Sequence, residues 1–265
     1  MGACLRVKLV TWNVNSLKVR LPRVLEFFAQ HAPDVVCMQE TKCEDEAFPA
    51  GELAAAGYHA VHHSAGRWAG VSIVAREGLA LEKPVSGLAG ELREDEARWI
   101  EATVGGLRVV SAYVPNGREV GSPTFDEKLA FLDAAALRLA VLREQGTPLA
   151  VVGDFNVAPA DIDVYDPVAF TGSTHVTPEE RGRVVAMQAA GELVDAFRVL
   201  HPDEVGFTWW DYRQGHFHRK MGLRIDLVLL SASVAPRLEH CAIERNYRKG
   251  AKPSDHAPLV ALLGA

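Results

Sequence analysis

Short apolar runs of the β-strand type recur along the whole chain, and this recurrence limits the folds that it can adopt. Three longer segments instead carry apolar residues at helical spacing. The strand-like runs cover residues 7–15, 35–39, 58–62, 70–75, 99–104, 107–114, 149–155, 207–210, 225–230 and 256–262, and the helical segments cover 21–30, 125–143 and 178–190. Many short strands with few helices predict an α/β (α+β) protein in which two β-sheets pack face to face between flanking helices.

The composition is that of a chain with a large buried core. Of its 265 residues, 48% are hydrophobic and 23% are charged, which excludes a disordered chain, a collagen and a disulfide-stapled miniprotein. No repeat or low-complexity linker divides the sequence, so we expect one domain over residues 1–265. The cysteines lack CxxC spacing, which favours ordinary thiols in a reducing compartment over a zinc site. They are Cys4, Cys37, Cys43 and Cys241.

The net charge of −6 argues by itself against a protein that coats nucleic acid. Basic residues nevertheless gather at 213–224 and 245–252.

No apolar stretch approaches the roughly 18 residues of a membrane span, and the first residues lack the long apolar core of a signal peptide. We therefore expect a cytoplasmic protein without membrane contact, nucleoid-associated if it is bacterial.

Polar residues follow several of the apolar runs, at the points where the predicted strands end. They are Asn13, Asn15, Glu40, Asn116, Asp154, Asn156, Asp226 and Asp255. In an extended segment residues i and i+2 face the same way, so Asp154 and Asn156 can converge on one point. If the strand ends meet, several carboxylates share one cleft and need a compensating charge. Oxygen ligands without cysteine indicate Mg²⁺ or Mn²⁺ rather than zinc.

His256 directly follows Asp255, between Pro253 and Pro258. The two prolines predict a loop that can aim both side chains inward. A metal ion, a carboxylate-paired histidine and a second carboxylate able to deprotonate water are the groups that in-line attack on a phosphodiester requires. A single aspartate after a strand is usually a turn or cap residue, so it is the joint occurrence of these residues that favours a catalytic site.

Eight short motifs resemble the exonuclease III type of abasic-site (AP) endonuclease, within the endonuclease/exonuclease/phosphatase superfamily. The motifs are TWNVNSL (11–17), QETK (39–42), YVPNG (113–117), GDFNVAP (153–159), VDAFR (194–198), FTWWDYR (207–213), GLRIDL (222–227) and KPSDHAP (252–258). The resemblance implies a DNase I-like, four-layer αββα sandwich of two mixed β-sheets. It also implies a Mg²⁺-dependent DNA repair nuclease, acting in base excision repair as a 3′–5′ exodeoxyribonuclease, a 3′-phosphodiesterase and an AP endonuclease. The implied partner of this monomer is double-stranded DNA with abasic sites or with damaged or recessed 3′ ends.

The resemblance further implies roles for individual residues. Glu40 resembles the main metal-binding carboxylate, Asp154 the residue that activates the attacking water, and Asn156 the residue that orients this water or stabilises the transition state. The implied metal-site residues are Asn13, Glu40, Asp154, Asn156, Asp255 and His256, and the implied catalytic residues are Tyr113, Asp154, Asn156, Asp226 and His256. The residues implied in DNA contact are Asn116, Arg118, His175, Trp209, Leu223, Arg219 and Lys220. The basic segment 213–224 lies between two of the motifs, and this place favours contact of the segment with the DNA backbone.

Two positions depart from the family pattern. Lys220 stands where the family often has Asn, and the change adds a positive charge. His175 stands where the family often has Gly or Ser, close to the flipped-out abasic sugar. Because an imidazole there would narrow the pocket, we hypothesise that the enzyme favours trimming 3′ ends over incising internal abasic sites.

Other interpretations stay open at this point. DNase I-like nucleases and phosphatases of inositol phosphates or sphingolipids could share the same metal and Asp/His groups, although FTWWDYR and GLRID favour the DNA-repair branch. A non-catalytic adaptor is disfavoured because no implied catalytic residue is missing. Trp209 matches the wall of the abasic pocket, whereas for Trp210 a core position and a functional position are equally compatible with the sequence.

Overall fold

Strand pairing arranges the chain as two six-stranded sheets. The computed structural model describes residues 6–265, so Cys4 lies outside the described residues. The strands are β1 (Val7–Asn13), β2 (Val35–Gln39), β3 (Tyr58–His63), β4 (Val71–Arg76), β5 (Glu82–Ser86), β6 (Trp99–Val104), β7 (Leu107–Tyr113), β8 (Leu149–Asp154), β9 (Leu193–Asp195), β10 (Asp226–Ser231), β11 (Leu238–Ile243) and β12 (Leu259–Leu263). One sheet has the order β11-β12-β1-β2-β4-β3 and the other has the order β5-β6-β7-β8-β10-β9. Both sheets mix parallel and antiparallel pairs.

The helices connect the strands and cover the outer faces. They are α1 (Leu17–His31), α2 (Ala50–Ala55), α3 (Pro123–Glu144), α4 (Pro178–Gly191) and α5 (Ala196–Leu200). α3 and α4 each begin with a proline in the first turn, after Ser122 and Thr177, whose side chains accept a hydrogen bond from the first turn. α1 begins four residues before the predicted start at residue 21. Pro22 therefore lies inside the helix and not in its first turn. Within residues 6–265, no helix is long and apolar enough to cross a bilayer.

Apolar packing forms four layers, as predicted. Between the sheets, Leu9 and Ile73 of one sheet share a core with Val109 and Val228 of the other. On the outer face of the first sheet, α1 buries Phe27 in a second cluster, and α3 and α4 cover the outer face of the second sheet in a third. The αββα sandwich is thereby confirmed, and its two sheets place their strand ends side by side.

Some predicted boundaries are wrong, for identifiable reasons. Residues 207–210 form no strand: Trp209 makes only single bridges, to Leu223 and His256, because this segment crosses the ends of the sheets. Three strands were not predicted. In β5 every residue is exposed, so the alternation of apolar and polar residues is lacking. β9 has only three residues, and β11 is a partly exposed strand at the edge of its sheet.

Candidate active site

Five strand ends meet at one edge of the two sheets and bring the predicted polar residues together. β1 and β2 run parallel and end side by side, so Asn13 and Glu40 lie at the same edge. In the other sheet, β7 and β8 run parallel, with Tyr113 opposite Asp154. β10 runs antiparallel to β8 and begins at this edge, with Asp226 opposite Asp154. The fold therefore places the ends of both sheets around one cleft.

Glu40, Asp154 and His256 form the centre of this cleft, where one ligand-type atom of each lies within 4.8 Å of the others. The Asn13 side chain joins the two carboxylates, because its Nδ2 donates to Glu40 Oε1 and to Asp154 Oδ2, at 2.8 Å each. The Tyr113 hydroxyl also donates to Glu40 Oε1, at 2.9 Å. Neutral donors thus orient the two carboxylates across the gap between the sheets.

The electrostatics of the centre favour a bound cation. Burial raises the pKa of Asp154 to about 7, although the positive charge of His256 opposes the shift. Burial and the charge of Glu40 also raise the pKa of the Tyr113 hydroxyl, which keeps it a donor. Two carboxylates, without a thiolate, are an oxygen donor set that suits a divalent cation. The residues present therefore fit a metal ion.

His256 is held by a carboxylate from the neighbouring sheet. Its Nδ1 lies 2.8 Å from Asp226 Oδ2, while its Nε2 lies 3.7 Å from Asp154 Oδ2. Burial lowers the pKa of His256, but the charges of Asp226 and Asp154 outweigh burial and raise it to about 10. The imidazole is therefore a cation at neutral pH, with Nδ1–H directed at Asp226 and Nε2–H directed into the cleft.

Asp255 lies beside the central cluster rather than within it. Its Oδ1 accepts from Asn15 Nδ2 at 2.9 Å, and its Oδ2 accepts from Trp209 Nε1 at 3.1 Å. Ser254 fixes the loop, because its hydroxyl donates to the carbonyl oxygen of Asn13 at 2.7 Å. The loop aims both Asp255 and the next residue, the histidine, towards the site, as the two flanking prolines predicted. The indole of Trp209 is bound to this carboxylate and is half-buried.

Asn156 and Asn116 extend the site towards solvent. The backbone N–H of Asn156 donates to Asp154 Oδ1 at 2.9 Å, and its side chain donates to the Val114 carbonyl at 3.0 Å. Asn116 Nδ2 donates to Asn156 Oδ1 at 3.2 Å, and its Oδ1 accepts from the backbone N–H of Arg118 at 3.1 Å. Asn116 and Arg118 are exposed at the mouth of the cleft. Their place supports contact with a ligand that approaches the metal-type cluster from solvent.

His175 lies against the backbone of Asn156. Its Nδ1 lies 2.5 Å from the carbonyl oxygen of Asn156, and since a carbonyl only accepts, Nδ1 carries the proton. Burial and the nearby charge of Lys128 lower the pKa of His175 to about 4, so the imidazole is neutral. Its backbone has φ +80°, a conformation that glycine adopts without strain. The side chain therefore occupies space that a glycine would leave empty.

The basic segment 213–224 is only partly available for DNA. Arg219 and Lys220 are exposed, whereas Arg213 pairs with Asp211. Arg224 is fully buried and pairs with two carboxylates, Asp163 Oδ1 at 2.6 Å and Asp195 Oδ2 at 2.7 Å. The prediction that the whole segment contacts the DNA backbone is therefore wrong for its C-terminal end. In the second basic segment, Arg248 is likewise buried, with its guanidinium donating to the carbonyls of Ser254 and Trp210.

Two apolar residues near the mouth are in the core. The Leu223 side chain has 0% exposure and packs in a small cluster beside Trp209, so it lines the interior behind the pocket wall rather than the surface. Trp210 is 1% exposed and packs edge-on against Phe217 at 5.2 Å between ring centroids. The core position is therefore the correct one of the two interpretations of Trp210.

Several residues of the site were not predicted from the sequence. The Lys42 ammonium lies 2.6 Å from Glu40 Oε2 and 2.7 Å from Asn15 Oδ1, and QETK was a usable signal for it. Trp68, which is 73% exposed, lines a cavity of about 330 Å³ beside Glu40. A buried lysine, Lys128, lies beneath the loops of the site. The sequence signal for it was its position on an otherwise apolar face of α3.

The two-sheet fold, with an acidic cluster and a carboxylate-paired histidine at one edge, defines a hydrolase of phosphate esters. A family model described as the endonuclease/exonuclease/phosphatase family matches residues 10–256. The chain belongs to this family, and within it to the exodeoxyribonuclease III and AP endonuclease type of nuclease.

Relatives of this type match nearly the whole chain. The exodeoxyribonuclease III of Haemophilus influenzae is 31% identical over 267 residues, which cover 96% of this chain and 99% of that protein. The structure of a Neisseria 3′ phosphatase, NExo, bound to product DNA hairpin, superposes with a TM-score of 0.94 at 37% identity, covering 98% of this chain and 100% of that one. An AP endonuclease from Archaeoglobus fulgidus superposes with a TM-score of 0.92 at 34% identity, with coverage of 98% and 100%.

Proposed function

We propose that this protein is a Mg²⁺-dependent DNA repair nuclease that processes 3′ ends of double-stranded DNA in base excision repair. It acts as a 3′–5′ exodeoxyribonuclease and 3′-phosphodiesterase, and incision at internal abasic sites is a weaker activity. The observation that carries the hydrolytic part is the Glu40–Asp154–His256 cluster with its Asp226 partner. We place the enzyme in the cytoplasm, acting as a monomer on DNA.

Glu40 and Asp154 would hold the Mg²⁺ ion, and Mn²⁺ could replace it because carboxylate oxygens suit both ions. When bound, the ion supplies positive charge for the phosphoryl oxygens and compensates the two carboxylates. Asn13 keeps both carboxylates oriented through its two hydrogen bonds. Tyr113 adds a third donor, on Glu40, next to the place where the scissile phosphate would lie.

Asp154 is the residue placed to take a proton from the attacking water. A pKa near the operating pH is what an effective general base needs, and burial supplies it here. Asn156 is bound to this carboxylate through its backbone, and its side-chain amide, held by Val114 and Asn116, would orient the water. His256 directs a charged N–H at the same space and would stabilise negative charge on the phosphoryl oxygens.

The side chain at His175 supports the preference for 3′ ends. An abasic site within a strand needs room for a sugar that leaves the duplex, and the imidazole lies in the cleft beside Asn156. A terminal phosphate or nucleotide enters without such an extrusion. The relative with a solved product complex is described as a 3′ phosphatase, which agrees with this preference.

The exposed groups at the mouth support duplex DNA as the substrate. Asn116 and Arg118 are exposed at the mouth of the cleft, and Arg219 and Lys220 are exposed on the loop that precedes Leu223. These four residues would position the sugar–phosphate backbone. Trp209 forms part of the wall beside Asp255. The Leu223 side chain would act from behind this wall, through its packing.

One gel assay tests the proposal. Three labelled duplexes carry a recessed 3′-hydroxyl end, a recessed 3′-phosphate end or an internal abasic analogue, and each is incubated with and without Mg²⁺. We expect Mg²⁺-dependent processing of both 3′ ends to exceed internal incision, and Asp154→Asn to abolish both while DNA binding persists. Processing without Mg²⁺, or hydrolysis of an inositol phosphate but not of DNA, would contradict the proposal.

The role of His175 is tested in the same assay by His175→Gly. The variant should incise the internal abasic analogue faster relative to the 3′ ends. Lys83→Gly is the matched control, because it also removes a side chain at positive φ, +48°, but lies on the exposed strand β5. An unchanged ratio of the two activities in His175→Gly would refute the role of the imidazole.

A further inference from the structure

We infer that Lys128 is a positioning residue of the active site, which fixes the three loops that carry Asn116, Asn156 and His175 relative to one another. The inference rests on the proposed function, because its test measures the proposed reaction. It concerns a buried ammonium that touches neither the metal-type cluster nor solvent, and that binds the backbone beneath the side chains at the mouth of the cleft.

The contacts of the ammonium are with backbone of two of these loops. Lys128 lies on α3 with 0% exposure, and its Nζ donates to the carbonyl oxygen of Asn156 at 2.6 Å and to that of Asn116 at 3.2 Å. The side chains of the same two asparagines are joined at 3.2 Å on the other side of the backbone. Because Lys128 holds the backbone carbonyl of each asparagine, it fixes the direction of each side-chain amide at the mouth of the cleft.

Glu180, at the start of α4, attaches the third loop to the same ammonium. Its Oε1 pairs with Lys128 Nζ and accepts from the Thr174 hydroxyl at 2.8 Å and from the backbone N–H of His175 at 2.9 Å. Its Oε2 accepts from the backbone N–H and hydroxyl of Thr177, at 3.0 and 2.8 Å, as a helix cap. The cap uses one oxygen only, so the other is free to bind the lysine and the loop of His175.

Close packing adds to these hydrogen bonds. Gly117 has φ +85°, and a Cβ there would lie 2.9 Å from Lys128 Cδ and 3.0 Å from Thr174 Oγ1. The loop of Asn116 therefore rests directly on the lysine stem. A small displacement of the lysine would move both asparagines.

Stability alone does not account for this pair. A buried ion pair offers little net stability compared with neutral residues of the same shape, whereas removal of one partner is costly because the other charge is left unpaired. Removal of both charges therefore separates a positioning role from a structural one. Glu101 provides a comparison, because it is buried and paired with Arg108 and Arg138 and has no hydrogen bond to a residue of the site.

The decisive variant is Lys128→Met with Glu180→Gln, which keeps the shape and removes both charges. Thermal unfolding and steady-state kinetics on a duplex with a recessed 3′ phosphate are measured at saturating Mg²⁺. We expect a folded protein whose kcat falls about 10- to 100-fold, since misplacement of groups by about 1 Å costs a factor of this size, while KM changes less than about threefold. Glu180→Gln alone keeps the ammonium on both carbonyls, so its kcat should exceed that of the double variant.

Arg138→Met is the control for loss of one partner of a buried carboxylate, Glu101. It should lower the unfolding temperature without changing kcat of the folded protein. A double variant that is folded and has wild-type kcat overturns the inference. A wild-type protein without activity on any DNA end overturns the proposed function instead, before variants are compared.

Thr174→Val decides the matter if the double variant does not fold. The substitution keeps the shape and removes the hydroxyl that donates to the Asn116 carbonyl at 3.1 Å and to Glu180. We expect a several-fold loss of kcat with unchanged KM and unchanged unfolding temperature. An unchanged kcat in folded Thr174→Val contradicts the inference.

Discussion

Single residues at the strand ends determine the charge of the site. Asp226 begins strand β10 and His256 lies in the loop before β12, yet their side chains lie 2.8 Å apart in a buried position. Because the carboxylate keeps the imidazole protonated, the residue proposed to face the phosphoryl oxygens is a cation. The pairing was implied by motif resemblance, whereas the protonation state follows only from the burial and the neighbouring charges.

Asp226→Asn should shift the pH profile of the reaction. An amide keeps an oxygen that can accept from Nδ1–H but removes the negative charge, so the pKa of His256 falls from about 10. If the protonated imidazole is the active form, activity is lost as pH rises through this pKa, so the alkaline limb of kcat/KM moves to lower pH by at least about one unit. Asp211→Asn, which removes a half-buried carboxylate paired with Arg213, is the control and should leave the profile unchanged. An alkaline limb that stays in place would argue against a protonated His256 in catalysis.

At the scale of elements, the long and buried strands were predictable and the short or exposed ones were not. β2, β6 and β8 have buried apolar runs whose alternation or continuity is visible in the sequence. β5 has no buried residue, and the aromatic segment 207–210 resembles a strand but fills clusters at the sheet ends instead. The Lys128–Glu180 pair joins residues 52 positions apart on two helices, a distance at which no local pattern indicates a partner. Residues at strand ends were therefore predictable, but the groups that hold them from below were not.

Gly153→Ala tests how closely β7 and β8 must approach for the site to form. Gly153 has φ +152°, and a Cβ there would lie 1.9 Å from the carbonyl oxygen of Ala112 on the neighbouring strand. The clash is with the backbone of Ala112, and Gly153 directly precedes Asp154. We therefore expect a loss of about 3 kcal/mol in the free energy of unfolding. This corresponds to a fall of roughly 6–12 °C in the thermal unfolding midpoint of a chain of this size.

Gly182→Ala is the matched control for that experiment. Gly182 lies in α4, and a Cβ there would have nothing within 4 Å. Alanine should therefore stabilise the helix by about 0.5–1 kcal/mol and raise the unfolding midpoint. A Gly153→Ala protein with the midpoint of the wild type would show that β7 and β8 tolerate a wider separation.

At the scale of the whole molecule, the acidic cleft connects metal binding to folding stability. Several carboxylates converge between the two sheets, and their mutual repulsion is present only in the folded state. A cation that binds the folded state alone raises the unfolding temperature by mass action. We expect millimolar Mg²⁺ to raise the midpoint and a chelator to reverse both this shift and the nuclease activity.

Glu40→Gln identifies the site responsible for this shift. The variant should lose most of the Mg²⁺-dependent rise in midpoint, because the amide removes one of the two central negative charges. Glu44→Gln changes an exposed glutamate four residues along the chain and should keep the full rise. An equal rise in both variants would place the stabilising ion elsewhere in the molecule.

The overall charge of −6 confines the affinity for DNA to local groups of basic residues. Arg224 and Arg248 are buried and hydrogen-bonded, so fewer cations face the DNA than the sequence alone indicates. We therefore expect a shallow decrease of the logarithm of the DNA association constant with the logarithm of the salt concentration, because few phosphates are contacted.

Arg219→Ala with Lys220→Ala should reduce this slope by about one unit for each lost contact. Arg67→Ala, at an exposed residue outside both basic segments, serves as the control in fluorescence anisotropy titrations with a hairpin duplex. An unchanged slope in the double variant would mean that this loop does not contact the DNA backbone.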